Sequence, residues 1–159
     1  MGLLKNLFKR PEPEPVRAPQ APKETVERMK VAGTSFRQEE IRSIGEKNED
    51  YSLTKRELLE DFEGEKVYAL DWDPDVRLVP EPENEHDKNA LAVIADGVRI
   101  GYVPKKEAVR VRELMDSGRI TFVDAEIRGG KYKRAYEGED LDRGEEDFFA
   151  TLKLKIKVE

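Results

Sequence analysis

A polar loop, followed by a segment with an aromatic ring and a lysine, holds the side chains of this chain that are best suited to chemistry. The loop runs from Glu81 to Ala90 and carries amide, imidazole and carboxylate groups, and residues 97–105 follow it with a tyrosine near their end. Asn and Asp side chains in such a loop can hydrogen-bond their own backbone, which is typical of a structured turn. Taken alone, the pattern favours a turn whose side chains remain candidates for binding.

Motifs of the common enzyme classes are absent from the sequence. The chain has a single histidine, His86, so a hydrolytic triad would have to be built around it, and no Gly-x-Ser-x-Gly segment occurs. Glycine-rich loops of the phosphate-binding or dinucleotide-binding type are also missing. We therefore predict a protein that is not an enzyme and uses no cofactor.

Three aspartates, Asp71, Asp73 and Asp75, copy the beginning of a calcium-binding loop. Val76 stands where such a loop requires glycine, and Pro82 stands where it requires a bidentate glutamate. The segment is therefore interpreted as a polar loop between strands, and no metal site is predicted.

The composition is that of one ordinary domain, and we expect a cytoplasmic protein. The 159 residues can bury a real core, and the absence of cysteine removes disulfides and thiolate metal sites. The net charge of −6 argues against a broad, sequence-blind phosphate-binding surface but allows one small basic pocket. No stretch approaches the roughly 18 apolar residues that a membrane span needs.

The first 24 residues are predicted to be a flexible tail that precedes a domain of residues 25–159. Residues 11–22 are rich in proline, which favours an extended linker. Residues 3–8 contain Leu3, Leu4, Leu7 and Phe8, which either form a frayed end or a short apolar tip that docks a partner protein.

The first half of the domain is predicted to hold one strand and two helices. Residues 27–33 alternate as a strand, and residues 35–45 fit a short helix. Residues 54–62 predict a second helix, because Thr54 and Glu57 have the spacing of a capping box.

The second half is predicted to be mainly strands. Strands are expected at residues 67–70, 76–79, 90–94, 98–103, 120–127 and 149–158. Asp96-Gly97 indicates a hairpin, residues 105–117 a helix, and Gly129-Gly130 a bend or bulge. An acidic loop is expected at residues 137–147. The sum is an α+β fold, mainly β, with two or three short helices and a small, partly closed barrel.

The order of these pieces resembles the HIRAN domain. That family shows a Glu-Pro-x-Asn-x-x-Asp-x-Asn-Ala loop, here Glu81 to Ala90, and a Gly-x-x-Ile-Gly-Tyr-x-Pro strand, here residues 97–104. A helix that opens with basic residues follows Lys105, and Val31-Ala32-Gly33 with Phe36 fits the first strand. The resemblance spans about residues 30–118. A free-standing domain of this kind is similar to bacterial or phage proteins.

The resemblance implies an OB-like barrel that captures the 3′ end of single-stranded DNA, as HIRAN domains attached to DNA-repair translocases do. In that role terminal bases stack on aromatic rings, and a carboxylate accepts a hydrogen bond from the free 3′-hydroxyl. The resemblance assigns the hydroxyl-reading role to Asp87, stacking to Phe36 and Tyr102, and a phosphate contact to Lys105.

Two further residues of the loop are assigned with less direct roles. Asn84 either shapes the loop or bonds a base. His86 stands where a tyrosine is common in the repair members, and Ser35 stands where a basic residue occurs. Phe36 and Tyr102 could alternatively be core aromatics.

Other interpretations stay open. The basic and aromatic strip at residues 131–136 either extends a nucleic-acid track or is an ordinary solvated strand. Lys153, Lys155 and Lys157 share one face of the last strand, where they could protect a sheet edge. The leading hypothesis is a module that binds DNA ends in repair, recombination or a phage-related setting. The alternative is an adaptor that docks a partner through residues 3–8.

Overall fold

A computed structural model describes residues 23–158, so most of the predicted tail, including the apolar tip, lies outside the described residues. Across these residues the fold is mainly β, with three α-helices: α1 (Gln38–Ser43), α2 (Lys55–Phe62) and α3 (Lys105–Asp116). The strands are β1 (Glu24–Lys30), β2 (Glu46–Lys47), β3 (Val67–Tyr68), β4 (Leu70–Asp71), β5 (Val76–Pro80), β6 (Leu91–Ala95), β7 (Val98–Tyr102), β8 (Ile120–Arg134) and β9 (Asp142–Lys157). Short 3-10 turns occupy Thr34–Phe36 and Glu49–Ser52.

The strands of residues 23–158 form three antiparallel sheets. The largest has the order β1-β9-β8-β3, the second has the order β5-β6-β7, and β2 pairs with β4. These sheets do not join into a closed barrel within residues 23–158, which agrees with the partly closed, OB-like fold expected from the sequence.

One hydrophobic core lies between the two larger sheets and beneath α1 and α3. Alternation explains its composition, because Leu152, Leu154 and Ile156 of β9 are buried while the lysines between them face outward. Ile41 of α1 and Val111 of α3 are fully buried in the same cluster. No helix in residues 23–158 is long and apolar enough to span a membrane.

Several local predictions are confirmed. The side chain of Thr54 accepts a hydrogen bond from the Glu57 N–H, and the Glu57 carboxylate accepts one from the Thr54 N–H, which completes the capping box of α2. Asp96 and Gly97 link β6 and β7 with positive φ values of 47° and 79°, as a tight hairpin requires. The register of β8 and β9 shifts between Arg128 and Gly130, where a bulge was expected.

The predicted bounds of the first elements were wrong. β1 begins at Glu24 and ends at Lys30, because its ladder follows β9 from Lys157 to Thr151. The expected helix at 35–45 is divided into the 3-10 turn Thr34–Phe36 and α1, with Arg37 between them in a non-helical conformation.

The acidic loop predicted at 137–147 was also wrong in its second half. β9 begins at Asp142, and its first residues pair with the end of β8: Asp142 lies opposite Arg134, and Glu145 lies opposite Lys131. Cross-strand pairs of opposite charge stabilise this part of the ladder without hydrophobic alternation.

The edge-protecting role considered for the lysines of the last strand is wrong. β9 lies between β1 and β8 and is therefore a central strand, so Lys153, Lys155 and Lys157 project from the middle of the sheet.

Candidate nucleic-acid interface

A cleft of about 610 Å³ opens where the chain after β1, the loop before β6, the end of β7 and the start of α3 come together. All six residues assigned from the family resemblance line this cleft: Phe36, Asn84, His86, Asp87, Tyr102 and Lys105. The structure thus collects side chains that lie up to 69 positions apart (36 to 105) around one cavity. Their roles in binding stay predictions.

Phe36 stands at the cleft as an exposed ring. It ends the 3-10 turn, and its N–H donates to the Gly33 carbonyl at 3.1 Å. Its exposed fraction is 86%, so the interpretation of Phe36 as a core aromatic is wrong. An exposed phenylalanine at a cavity is a surface on which a base can stack.

A backbone bridge holds two walls of the cleft together. The N–H of Ala32 donates to the Tyr102 carbonyl and the N–H of Tyr102 donates to the Ala32 carbonyl, both at 2.8 Å. Gly101 permits this approach, because a Cβ at that position would meet the Ala32 oxygen at 2.4 Å. The bridge fixes the Tyr102 wall against the segment that carries Phe36.

Tyr102 is further held by a charged network. Its hydroxyl donates to Glu81 at 2.9 Å and accepts from Arg99 at 2.7 Å, and Arg99 also donates to Glu81 at 2.9 Å. Burial opposes ionisation of Glu81, but hydrogen bonds from Asn84 and Tyr102 and the charge of Arg99 outweigh it. The pKa of Glu81 therefore lies below its ordinary value. The half-buried ring of Tyr102 is a wall of the cleft rather than a core side chain.

Asn84 shapes the loop. Its side-chain oxygen accepts from the N–H groups of His86 (2.9 Å) and Asp87 (3.1 Å), and its amide nitrogen donates to Glu81 at 3.1 Å. Of the two roles considered for Asn84, the structure shows the shaping of the loop. These bonds orient Asp87 and leave the exposed side chain of His86 at the cleft.

Asp87 lines the cleft and uses only one of its two carboxylate oxygens in the turn. Its Oδ1 accepts from the N–H of Asn89 at 2.9 Å, as a structured turn requires. Its Oδ2 has no hydrogen-bond donor within residues 23–158. The turn role and a ligand-reading role are therefore compatible, because they use different oxygens.

Two cations lie at the cleft. Lys105 is the exposed first residue of α3, where backbone N–H groups and the helix dipole also favour an anion. Arg37, which no sequence motif indicated, lines the same cavity, and its guanidinium forms an ion pair with the Glu40 carboxylate at 3.4 Å. Ser35, by contrast, is not among the lining residues. In the sequence, only the position of Arg37 next to Phe36 indicates that it could lie at the cleft.

In the basic and aromatic strip at residues 131–136, Lys133 and Arg134 contact other residues of the fold. Lys133 donates to the Tyr51 carbonyl, and Arg134 forms an ion pair with Asp142 at 3.0 Å. Arg134 also lies over the ring of Tyr136. Because Lys133 and Arg134 have partners within the fold, the structure favours an ordinary solvated strand over a nucleic-acid track.

Comparison with known proteins gives one family. Residues 66–139 match the model of the HIRAN domain, a range that contains the polar loop, β7 and α3. Neither the search of curated proteins nor the search of solved structures found a match. HIRAN domains are known as DNA-binding modules, and the cleft residues at 84–105 fall inside the matched range. The match covers a little under half of the chain and supports the resemblance to the HIRAN domain.

Proposed function

We propose that this protein binds the 3′ end of single-stranded DNA in its cleft and acts as a non-enzymatic module in repair, recombination or a phage-related process. One observation carries the proposal: an exposed aromatic ring, a carboxylate with an unused oxygen, and two cations line one cavity. These groups match the base, the terminal hydroxyl and the phosphates of a DNA end.

The expected pose follows from the chemistry of each group. A terminal base stacks on Phe36, with a stacking free energy of about 1–3 kcal/mol. The Oδ2 of Asp87 accepts a hydrogen bond from the 3′-hydroxyl, which an internal phosphodiester cannot donate. Lys105 and Arg37 neutralise phosphate charge at the same cavity.

The departures from the repair members are compatible with this pose. His86, where a tyrosine is common, is an aromatic ring that can stack and can also donate a hydrogen bond. Arg37 supplies at the cleft a positive charge that Ser35 lacks. The cleft can therefore bind an anionic ligand although the whole chain carries a net charge of −6.

The test is fluorescence anisotropy with a short single-stranded oligonucleotide that ends either in a 3′-hydroxyl or in a 3′-phosphate. We expect the wild type to prefer the free hydroxyl and Asp87→Ala to lose both affinity and preference. Asp61→Ala, which removes an exposed carboxylate from α2, is the matched control and should bind like the wild type. Equal binding of both oligonucleotides by the wild type would refute end recognition.

A further inference from the structure

The outer face of β1 and β9 carries a cluster of basic residues. Directly paired residues of antiparallel strands project to the same face, and Arg28 pairs with Lys153 while Val26 pairs with Lys155. We call this surface the basic face, and its cations are Arg28, Lys30, Lys153, Lys155 and Lys157.

These five cations have no ion-pair partner within residues 23–158. The acidic residues that share this face in the register are Glu24, opposite Lys157, Asp124, opposite Lys153, and Glu126, opposite Thr151, and none of them forms a salt bridge within the described part of the chain. Positive charges on the basic face outnumber these carboxylates, so the face is positive although the chain as a whole is acidic.

Other basic clusters differ in this respect. On α3, Arg110 binds Glu27 and Glu107, and Arg112 binds Asp116. On β8, Lys133 and Arg134 have the partners described above. Within residues 23–158 the basic face therefore brings five cations without an ion-pair partner together on one side of a sheet.

The basic face leads into the cleft. Lys30 ends β1, and the N–H of Val31 continues the ladder by donating to the Ala150 carbonyl at 2.9 Å. Ala32, the next residue, lines the cleft. At about 3.3 Å per residue, Lys30 lies roughly 7 Å along the backbone from the cavity wall.

Apolar groups lie among the cations of this face. Phe122 of β8 and Val26 of β1 flank Lys155 in one row of the sheet, and they are 43% and 47% exposed. The ammonium group of Lys155 lies 5.1 Å from the centre of the Phe122 ring. A surface of cations around an exposed ring suits a strand that presents both phosphates and bases.

We propose that the basic face binds the phosphates of single-stranded DNA on the 5′ side of the captured end, so that the strand runs from the cleft along β1 and β9. The path rests on the proposed function, because the cleft supplies the end from which the strand continues. The net charge of −6 argues against a broad phosphate-binding surface, but in the folded chain the cations of β1 and β9 lie together, so that one face is positive.

The test compares oligonucleotides of about 3 and about 12 nucleotides that share their 3′ sequence and hydroxyl, a range that brackets typical single-strand sites, and the longer one is also titrated with its 3′ end blocked by a phosphate. Anisotropy is measured with the full chain at two salt concentrations, roughly 50 and 200 mM. The variant is Lys153→Gln with Lys155→Gln. The control is Lys47→Gln with Arg56→Gln, which removes the same number of positive charges. These residues lie on β2 and α2, near β3 and therefore at the other end of the large sheet from β1.

We expect the longer oligonucleotide to bind the wild type more tightly and the double variant to lose much of that gain. Each phosphate contact contributes about 0.7 to the slope of log affinity against log salt for a single strand, so the variant's slope should be shallower by about 1.4. Between 50 and 200 mM salt, the affinity of the wild type should therefore fall by a factor about seven times larger than that of the variant. The short oligonucleotide should bind the variant and the wild type equally, and the control should match the wild type.

Each outcome is decisive. If the two lengths bind equally, or if the variant binds the longer one like the wild type, the path along the basic face is refuted while end capture stands. If the longer oligonucleotide needs the lysines but ignores whether its 3′ end is blocked, the face binds DNA and end capture is refuted. Thermal unfolding of the variant checks that it is folded.

Discussion

Replacing Gly101 with alanine should damage both the fold and the cleft. The added Cβ would lie 2.4 Å from the Ala32 oxygen and 2.6 Å from a methyl group of Val31, so the backbone must move. Overpacking of this kind costs about 1–3 kcal/mol. The two hydrogen bonds between Ala32 and Tyr102 weaken at the same time, and each contributes about 0.5–1.5 kcal/mol. We therefore expect the free energy of unfolding to fall by about 2–4 kcal/mol.

Urea denaturation of Gly101→Ala measures this loss, with Gly118→Ala as the control. Gly118 follows α3 with a φ of 69° and has no atom within 4 Å of a Cβ placed there, so only its backbone conformation resists alanine. That conformation costs about 1–2 kcal/mol for a residue with a side chain. Equal or smaller destabilisation by Gly101→Ala would refute the packing argument. DNA binding should weaken in Gly101→Ala and stay unchanged in Gly118→Ala, because only the former displaces a wall of the cleft.

Three further changes separate stability from binding. Phe36→Ala should leave the free energy of unfolding within about 0.5 kcal/mol of the wild type, because the ring is exposed. It should weaken binding of single-stranded DNA by about 1–3 kcal/mol in anisotropy titrations. A large loss of stability would instead show that the ring packs in the core. Glu81→Gln should lower the free energy of unfolding at pH 7 by about 1–2 kcal/mol, because it weakens the hydrogen bonds of a charged group. The folded pKa of Glu81 lies below its unfolded value, so this stabilisation is present above the unfolded pKa of about 4.3 and disappears as the pH falls through the folded pKa. Chemical denaturation should therefore show a smaller difference in free energy of unfolding between wild type and Glu81→Gln at pH 3 than at pH 7. An equal difference at the two pH values would contradict the assignment. Thr54→Ala should remove the capping box of α2 and lower the free energy of unfolding by about 0.5–2 kcal/mol, as measured by thermal unfolding. Its DNA affinity should not change, and a change would place α2 at the interface.

The parts of the fold that could be predicted are those specified by local chemistry. A capping box needs only Thr54 and Glu57, and a two-residue hairpin needs only Asp96 and Gly97, so both were found from the sequence. The periodic apolar residues of α3 likewise predicted a helix within one residue of its observed end at Asp116. In each case the determining residues are neighbours in the chain.

The parts that were missed depend on partners distant in the chain. Residues 142–147 have no hydrophobic alternation, and they form a strand because β8 provides ladder partners and opposite charges. The helix predicted at 35–45 begins only at Gln38, after the Ala32–Tyr102 bridge and the 3-10 turn at Thr34–Phe36. Neither constraint is visible in a window of local sequence.

The candidate site was likewise predicted only in the part that local sequence specifies. The loop and the strand after it could be recognised from their motif order, and the six residues assigned from it line one cleft. The network of Glu81, Arg99 and Tyr102 was missed, because it joins two strands whose contact only the folded sheet creates. Arg37 was missed because the 3-10 turn, and not its sequence spacing, directs it to the cavity.

Reading of the terminal hydroxyl by Asp87 is the central claim, and a double-mutant cycle tests it most directly. Wild type and Asp87→Asn are titrated with oligonucleotides that end in a 3′-hydroxyl or in a 3′-deoxy sugar, so that neither change adds charge to the DNA. Asparagine keeps the oxygen that holds the turn to Asn89. A hydrogen bond to a charged group predicts a coupling free energy of about 1.5–3 kcal/mol between the two changes. Additive effects, with a coupling near zero, would show that Asp87 holds the turn alone and would contradict end reading by this cleft.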